Sequence, residues 1–391
     1  MPVRATKRGA DRTAIERDCD VLICGASFAG LAVARELASS GASVLMVDRY
    51  EIGERQTSAC AMPTVWLEAM DLMRSHLQSF DSLLVHTPHR TGRWHLPWSF
   101  STFDYRELCA LMCEHAASPD LVFETATVTG RRGNTVQTDR GELRAPLIVD
   151  ALGWRRVLSN RAPIQPPDAP LSRGLEVHPE GRGGDMELWI DAGYIRSGYA
   201  WSFPARDEVR IGIGSFWPSH HVKEPTVRLA RDLGRPAEGY QGNWIPHRLR
   251  AAVEDGVFFT GDSAGHCLPL TAEGIRTAIY FGLACGRELR AVLEGGQARE
   301  RALSRYGAFS ESHARKFRWL LNSQRAVGQL TPTPAVAALV RASENRRFAA
   351  WAFNHYMAIA PPSFAGGGPR SSNTAASRRM PSSMAGSARL A

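Results

Sequence analysis

Val21-Leu22-Ile23-Cys24-Gly25-Ala26-Ser27-Phe28-Ala29-Gly30 decides the fold, because a short apolar run ends abruptly in a loop of small residues. The run reads as a buried strand, Phe28 to Ser39 as a helix, and "SVLMVD" ending at Asp48 as a second strand. That β-α-β order opens a doubly wound parallel sheet. The rival reading is the apolar middle of a signal peptide, since a basic segment precedes it. Asp18 and Asp20 abut the apolar run and the glycines fall at phosphate-loop spacing, so the export reading is rejected.

A loop passing from a strand into a helix N-terminus offers unpaired backbone N–H groups and the positive end of the helix dipole to a pyrophosphate. Gly25 supplies the tight turn and Gly30 lets helix and strand approach. Ser27 stands where a second glycine is usual, with a hydroxyl able to donate to phosphate. Phe28 and Ala29 complete the loop. Asp48 ends the second strand 18 residues after Gly30, where a carboxylate can accept from both ribose hydroxyls. A strand-end Asp that merely caps a turn is the alternative. Arg49 follows directly.

A second stretch, "GVFFTGDSAGHCLPLTAEGIRTAIYFG" from 256 to 282, repeats the strand-to-small-residue pattern. Asp262 after Gly261 can bond a ribityl hydroxyl, while Pro269 and Gly274 lead into a helix whose N-terminus suits a flavin pyrimidine ring. NAD has no ribityl chain, so this stretch selects FAD.

Composition limits the remaining possibilities. The chain has 391 residues, 44% apolar and 22% charged, with a net charge of +8. Much of that excess lies in the tails, and no aromatic-interleaved basic motif accompanies it, so nucleic-acid binding is not expected. No apolar run reaches the roughly 18 residues of a membrane span. Seven irregularly spaced cysteines suggest reduced thiols in a cytoplasmic protein. Cys109 and Cys113, four apart on a helix, read as packed thiols rather than metal ligands, and no metal site is expected.

The loop with Asp48, the "GDSAGHCLPLTAEGIRTA" segment and "GYAWSFP" (198–204) together resemble the geranylgeranyl reductase family. That family lies within the flavoproteins that include aromatic hydroxylases and flavin-dependent halogenases. The resemblance runs over residues 18 to 290. It implies an α/β fold, with an FAD-binding doubly wound (Rossmann-like) domain, an inserted antiparallel-sheet substrate domain and C-terminal helices. Residues 18–66, 104–158 and 255–292 would form the discontinuous FAD domain, and 67–103 and 159–254 the substrate sheet. Residues 293–360 would be helical, with disordered tails at 1–17 and 361–391. Tyr199, Trp201, Phe203 and Pro204 would line or support the substrate pocket. Arg106, in "FDYREL", would lie near the cofactor, with a surface arginine as the rival reading. Cys60 and His266 are the candidates for catalysis, each set against an inert buried role.

Two departures narrow the chemistry. Leu152, before Gly153, replaces the acidic residue of an Asp-Gly pair that touches FAD and NADPH in the hydroxylases. No lysine occurs between Lys7 and Lys223, which disfavours halogenase chemistry. The expectation is an FAD-dependent oxidoreductase that reduces carbon–carbon double bonds of a small hydrophobic substrate such as an isoprenoid. Its electron donor, NAD(P)H or a protein such as ferredoxin, stays open, as does peripheral contact of the C-terminal helices with a membrane. The alternatives are a flavin monooxygenase or dehydrogenase acting on an aromatic or polyketide-like metabolite, and an FAD-binding protein without turnover.

Overall fold

The computed structural model describes residues 13–15, 17–56, 58–161, 171–329 and 334–367. Its organising element is a six-stranded sheet in the order Val253–Glu254, Val257–Phe259, Leu147–Asp150, Val21–Cys24, Val44–Asp48, Leu121–Thr125. All pairings but that of the Val253–Glu254 edge are parallel. Strands Val21–Cys24 and Leu147–Asp150 are buried throughout, as continuous apolar runs must be when helices cover both faces. The chain leaves the first strand toward Val44–Asp48 on one side and returns to Leu147–Asp150 on the other. This reversal opens a crevice at the strands' carboxyl ends, where ligands of such sheets bind.

Helix Phe28–Leu37 follows the first strand and packs against the long helix Ile275–Leu293. Small residues permit the approach: a Cβ on Gly282 would fall 2.6 Å from the Ala29 carbonyl oxygen.

The second sheet has eight strands, ordered Gln241–Pro246, Leu171–Val177, Glu208–Ser215, Gly198–Ala205, Met186–Trp189, His76–Thr87, Arg90–Phe103, Ala61–Pro63. It is antiparallel except where Met186–Trp189 runs alongside His76–Thr87. A three-stranded meander, 128 to 144, stands apart. Helices Pro334–Ser343 and Arg346–Met357 pack on strand Arg90–Phe103 of the large sheet.

The tails depart from expectation where they are described. Ile15 is buried, its amide bonded to the Arg140 carbonyl at 2.9 Å. Pro362–Gly367 forms a 3-10 turn with Ala365 buried and the Phe364 ring 4.5 Å from Tyr280, so 361–367 is ordered by packing on the long helix. Residues 1–12, 16 and 368–391 of the tails lie outside the described residues.

Candidate active site

A cavity of about 1520 Å³ extends from the crevice of the parallel sheet to one face of the large sheet. One end is built from three chain reversals, which follow strands Val21–Cys24, Val44–Asp48 and Val257–Phe259. Gly25 has φ of +110°, and a side chain there would meet the Ala151 carbonyl oxygen at 2.2 Å. A Cβ on Gly30 would lie 1.8 Å from the Gly25 carbonyl oxygen, so the helix can sit this close only without one. The Ser27 hydroxyl makes no capping bond to the helix it precedes. Ser27, Phe28 and Ala29 line the cavity, with the helix N-terminus opening onto it.

Asp48 does two things at once. One carboxylate oxygen accepts the Ala26 amide at 2.9 Å and the other the Tyr50 amide at 3.0 Å, which ties the glycine loop to the second strand. The side chain also lines the cavity, and burial pushes its carboxyl up against those two hydrogen bonds. Arg49 lines the same wall, its guanidinium 4.8 Å from the Tyr50 ring centre.

The third reversal brings in Gly261, with φ of +63°, and Asp262. The Asp262 carboxylate lines the cavity with no hydrogen-bond partner among the described residues, and burial raises it to about 6 against the pull of Arg250. Gly274 immediately precedes helix Ile275–Leu293, which points its N-terminus into the same space. A cradle of open backbone donors, an unpartnered carboxylate and positions where a Cβ would collide fits a dinucleotide's phosphates and polyol.

Two connections here are invisible in sequence motifs. Buried Asp150 accepts the Leu152 amide (3.0 Å), the Leu158 amide (2.8 Å) and the Ser263 hydroxyl (2.6 Å), so one carboxylate joins the turn that follows strand Leu147–Asp150 to the third reversal. Arg156 stacks on Phe259 at 3.6 Å and donates to the Ser263 carbonyl at 2.8 Å.

On strand Gly198–Ala205, alternate residues Tyr199, Trp201 and Phe203 line the cavity where it meets the large sheet. Pro204 does not; period two turns it to the other face, where it packs on Gly183. The Tyr199 hydroxyl donates to the Thr271 carbonyl at 2.6 Å, linking this wall to the third reversal.

Other candidates fall differently. Cys60 lines the cavity with φ of 51°; its thiol donates to the Ser58 carbonyl, and burial drives its pKa up, so it is a neutral thiol. His266 does not line the cavity. Its ring stacks on Phe281 at 3.7 Å, Nε2 meets the Ser310 hydroxyl at 3.0 Å, and burial holds it neutral, so it is a packing residue. Pro269 is buried and does not line the cavity; its carbonyl accepts from Gln324. Arg106 is exposed, its backbone and side-chain stem against Gly53, and it does not line the cavity. Cys109 is a core thiol, pushed up to about 12 by burial. Among the described residues no cluster of three metal-ligating side chains occurs.

The roof comes from the far end of the chain. Fully buried Arg276 donates to both carboxylate oxygens of Glu273, at 2.8 and 2.7 Å, and to the Ala360 carbonyl at 2.8 Å. The Tyr356 hydroxyl bonds the same carboxylate. The Trp66 indole donates to the Ala360 carbonyl at 3.0 Å, so residues 356–360 are fastened over the cavity from two sides.

Fold and cavity define an FAD-dependent oxidoreductase. The model for the FAD binding domain matches residues 18–102. Digeranylgeranylglycerophospholipid reductase 3 of Methanosphaera stadtmanae is 23% identical over 339 residues, 77% of this chain and 84% of that protein. Digeranylgeranylglycerophospholipid reductase 2 of Methanothermobacter thermautotrophicus is 24% identical over 73% of this chain and 82% of that protein. Among solved structures, a geranylgeranyl bacteriochlorophyll reductase-like protein from Thermoplasma acidophilum superposes with a TM-score of 0.74. It shares 17% identity, over 89% of this chain and 98% of that one. A probable FAD-dependent monooxygenase from Pseudomonas aeruginosa shares the fold at a TM-score of 0.64 and 19% identity, over 83% of this chain and 99% of that one. The resemblance to geranylgeranyl reductase-like flavoproteins is thereby borne out. Among the described residues no helix is long and apolar enough to cross a membrane.

Proposed function

We propose that this enzyme saturates carbon–carbon double bonds in an isoprenoid lipid. The observation that carries the reading is one continuous cavity, with dinucleotide-type reversals at one end and a wall of Tyr199, Trp201 and Phe203 at the other. The names of the similar reductases point the same way. Residues 25–30 would hold the FAD pyrophosphate through helix amides, Asp48 the adenosine ribose and Asp262 the ribityl chain, with Gly274 beside the pyrimidine edge. Bound FAD, once reduced, supplies hydride. The aromatic wall aligns a flat alkene by its apolar surface, and the roof at 356–360 excludes water from the reacting carbons. Dithionite-reduced protein mixed anaerobically with a geranylgeranyl-bearing lipid should re-oxidise while the product gains two mass units per double bond. No re-oxidation, with substrate-stimulated oxygen uptake instead, would favour a monooxygenase.

Asp262 gives this reading a pH signature. A ribityl hydroxyl donating to the carboxylate prefers the ionised form, so binding must expel a proton wherever the free group is protonated. FAD affinity should therefore weaken as pH falls through about 6, approaching tenfold per unit well below it. Fluorescence titration of apoprotein from pH 5 to 8 checks this, and Asp262→Asn should flatten the profile. A flat wild-type profile would remove Asp262 from the cofactor site.

The cavity mouth suggests how a lipid enters. Trp319, Trp351 and Phe348, 63%, 55% and 39% exposed, line it together with Arg315 and Lys316. Aromatic side chains beside cations suit an anionic lipid surface. Cosedimentation with phosphatidylglycerol vesicles should fall several-fold in Trp319→Ser/Trp351→Ser, and unchanged binding would discard the idea.

A further inference from the structure

Glu176, on strand Leu171–Val177, is a charged residue in the cavity wall formed by the large sheet that the cofactor assignments leave unused. Its Oε2 accepts the Trp201 indole N–H at 3.3 Å. Its Oε1 is buried without a hydrogen-bond partner. Apart from the Asp262 carboxylate, which the cofactor assignments use, it is among the described residues the one cavity-lining side chain with a sealed, unpartnered polar atom. Leaving such an oxygen unsatisfied costs about 1–3 kcal/mol or more, so the position calls for a partner.

One candidate partner stands beside it. His178 Nε2 lies 3.0 Å from Oε1, off the direction of a hydrogen bond, and a small turn of the ring would complete the contact. The other ring nitrogen is 3.7 Å from a carboxylate oxygen of Glu208, and the Gln241 side-chain nitrogen lies 2.8 Å from Nδ1 and 2.6 Å from Nε2, so the same turn of the ring must release Nε2 from Gln241. Side-chain exposure rises along this line, from 2% at Glu176 to 12% at His178 and 35% at Glu208. It is a path from solvent to the cavity wall. Of the other ionisable groups nearby, the Arg210 guanidinium is engaged by Glu208 and by the carbonyls of Ala59, Cys60 and Phe103. The Cys60 thiol is engaged by Ser58.

We infer that Glu176 is the acid that protonates the substrate in the double-bond reduction, reloaded from solvent through His178. The inference rests on the reductase reading. One alkene carbon takes a hydride from reduced flavin, and the π pair forms a new C–H bond at the other with the proton of the Glu176 carboxyl. The alkene gains two electrons and the flavin loses them. The carboxylate left behind takes a proton from the His178 imidazolium, which recovers one at its solvent end; a reduced nicotinamide or ferredoxin restores the flavin.

The test uses the flavin-loaded, dithionite-reduced protein mixed anaerobically with geranylgeraniol in detergent micelles. Glu176→Gln should slow single-turnover re-oxidation by ~100-fold, the usual worth of a positioned acid, while the flavin spectrum and the geranylgeraniol concentration for half-maximal rate stay near wild type. Glu176→Ala should regain rate with added formate. His178→Asn should spare the first turnover, slow later ones, and respond to imidazole. Re-oxidation of Glu176→Gln within about threefold of wild type, below what general acid catalysis contributes, overturns the proposal. Should Glu176→Gln shed its flavin, formate decides: no rescue of Glu176→Ala overturns it. Wild-type protein inert toward geranylgeraniol, yet active on an aromatic compound, overturns the reductase reading and this proposal with it.

Discussion

Gly30→Val purifies without yellow colour, or fails to stay soluble, and Gly25→Val behaves alike: these are the expected results for the loop that opens the fold. The Gly30 Cβ would lie 1.8 Å from the Gly25 carbonyl oxygen, far inside van der Waals contact, and that oxygen belongs to a strand end that cannot retreat. At Gly25 the collision at 2.2 Å with Ala151 is compounded by φ of +110°. Either change must displace the helix N-terminus from the crevice. Because every ~1.4 kcal/mol is tenfold in affinity, a shift that removes two amide contacts should bring flavin occupancy below about one tenth. Ser27→Gly serves as the control and should keep FAD. The measurement is the flavin absorbance per protein after gel filtration. Flavin retained in both valine variants would show that this loop does not hold the pyrophosphate.

Arg276→Leu should lower the thermal midpoint by on the order of 10 °C. Removing one partner of a buried pair strands the other charge, at roughly 3–5 kcal/mol, and the Ala360 carbonyl loses its donor as well. Glu273→Leu/Arg276→Leu should recover part of the loss, since an apolar pair leaves no buried charge behind. Thermal unfolding followed by circular dichroism tests both. A single-variant shift under about 2 °C, the range of an ordinary surface change, would mean the pair is not a fastening for residues 356–360.

What the sequence reveals here follows from what is local. The glycine loop, Asp48 and the Gly261-Asp262 turn declare themselves because each needs small residues or a carboxylate at fixed spacing from a strand end. The long hairpin His76–Thr87 and Arg90–Phe103 leaves a weaker trace; most of its positions are half-buried or exposed, and polar Ser101 and Thr102 are fully buried, which blurs the alternation. Pro204 is misassigned by reading four neighbouring residues as one wall when strand periodicity splits them. His266 looks catalytic in "GDSAGHC" because its partners, Ser310 and Phe281, come from helices that no spacing rule connects to the loop. Asp150 and Arg276 act across 113 and 84 residues, to Ser263 and Ala360, and a distance of that kind has no local signature. Glu176 leaves none either: it shares its short strand with a second charged residue, Arg173, and nothing in the local sequence says which of the two turns toward the aromatic wall.

The order of strands in the parallel sheet also sets a schedule for synthesis. The first strand emerges early, but its neighbour Leu147–Asp150 and the Gly261-Asp262 reversal follow more than a hundred and two hundred residues later. At ribosomal rates of about 5–20 residues per second, the glycine loop waits for many seconds with one side of its strand unpaired. A nascent chain halted before residue 262 has the phosphate loop but nothing to close it. Such a fragment should be a client for chaperones rather than a receptor for flavin, and cofactor capture becomes a late event in the life of the polypeptide.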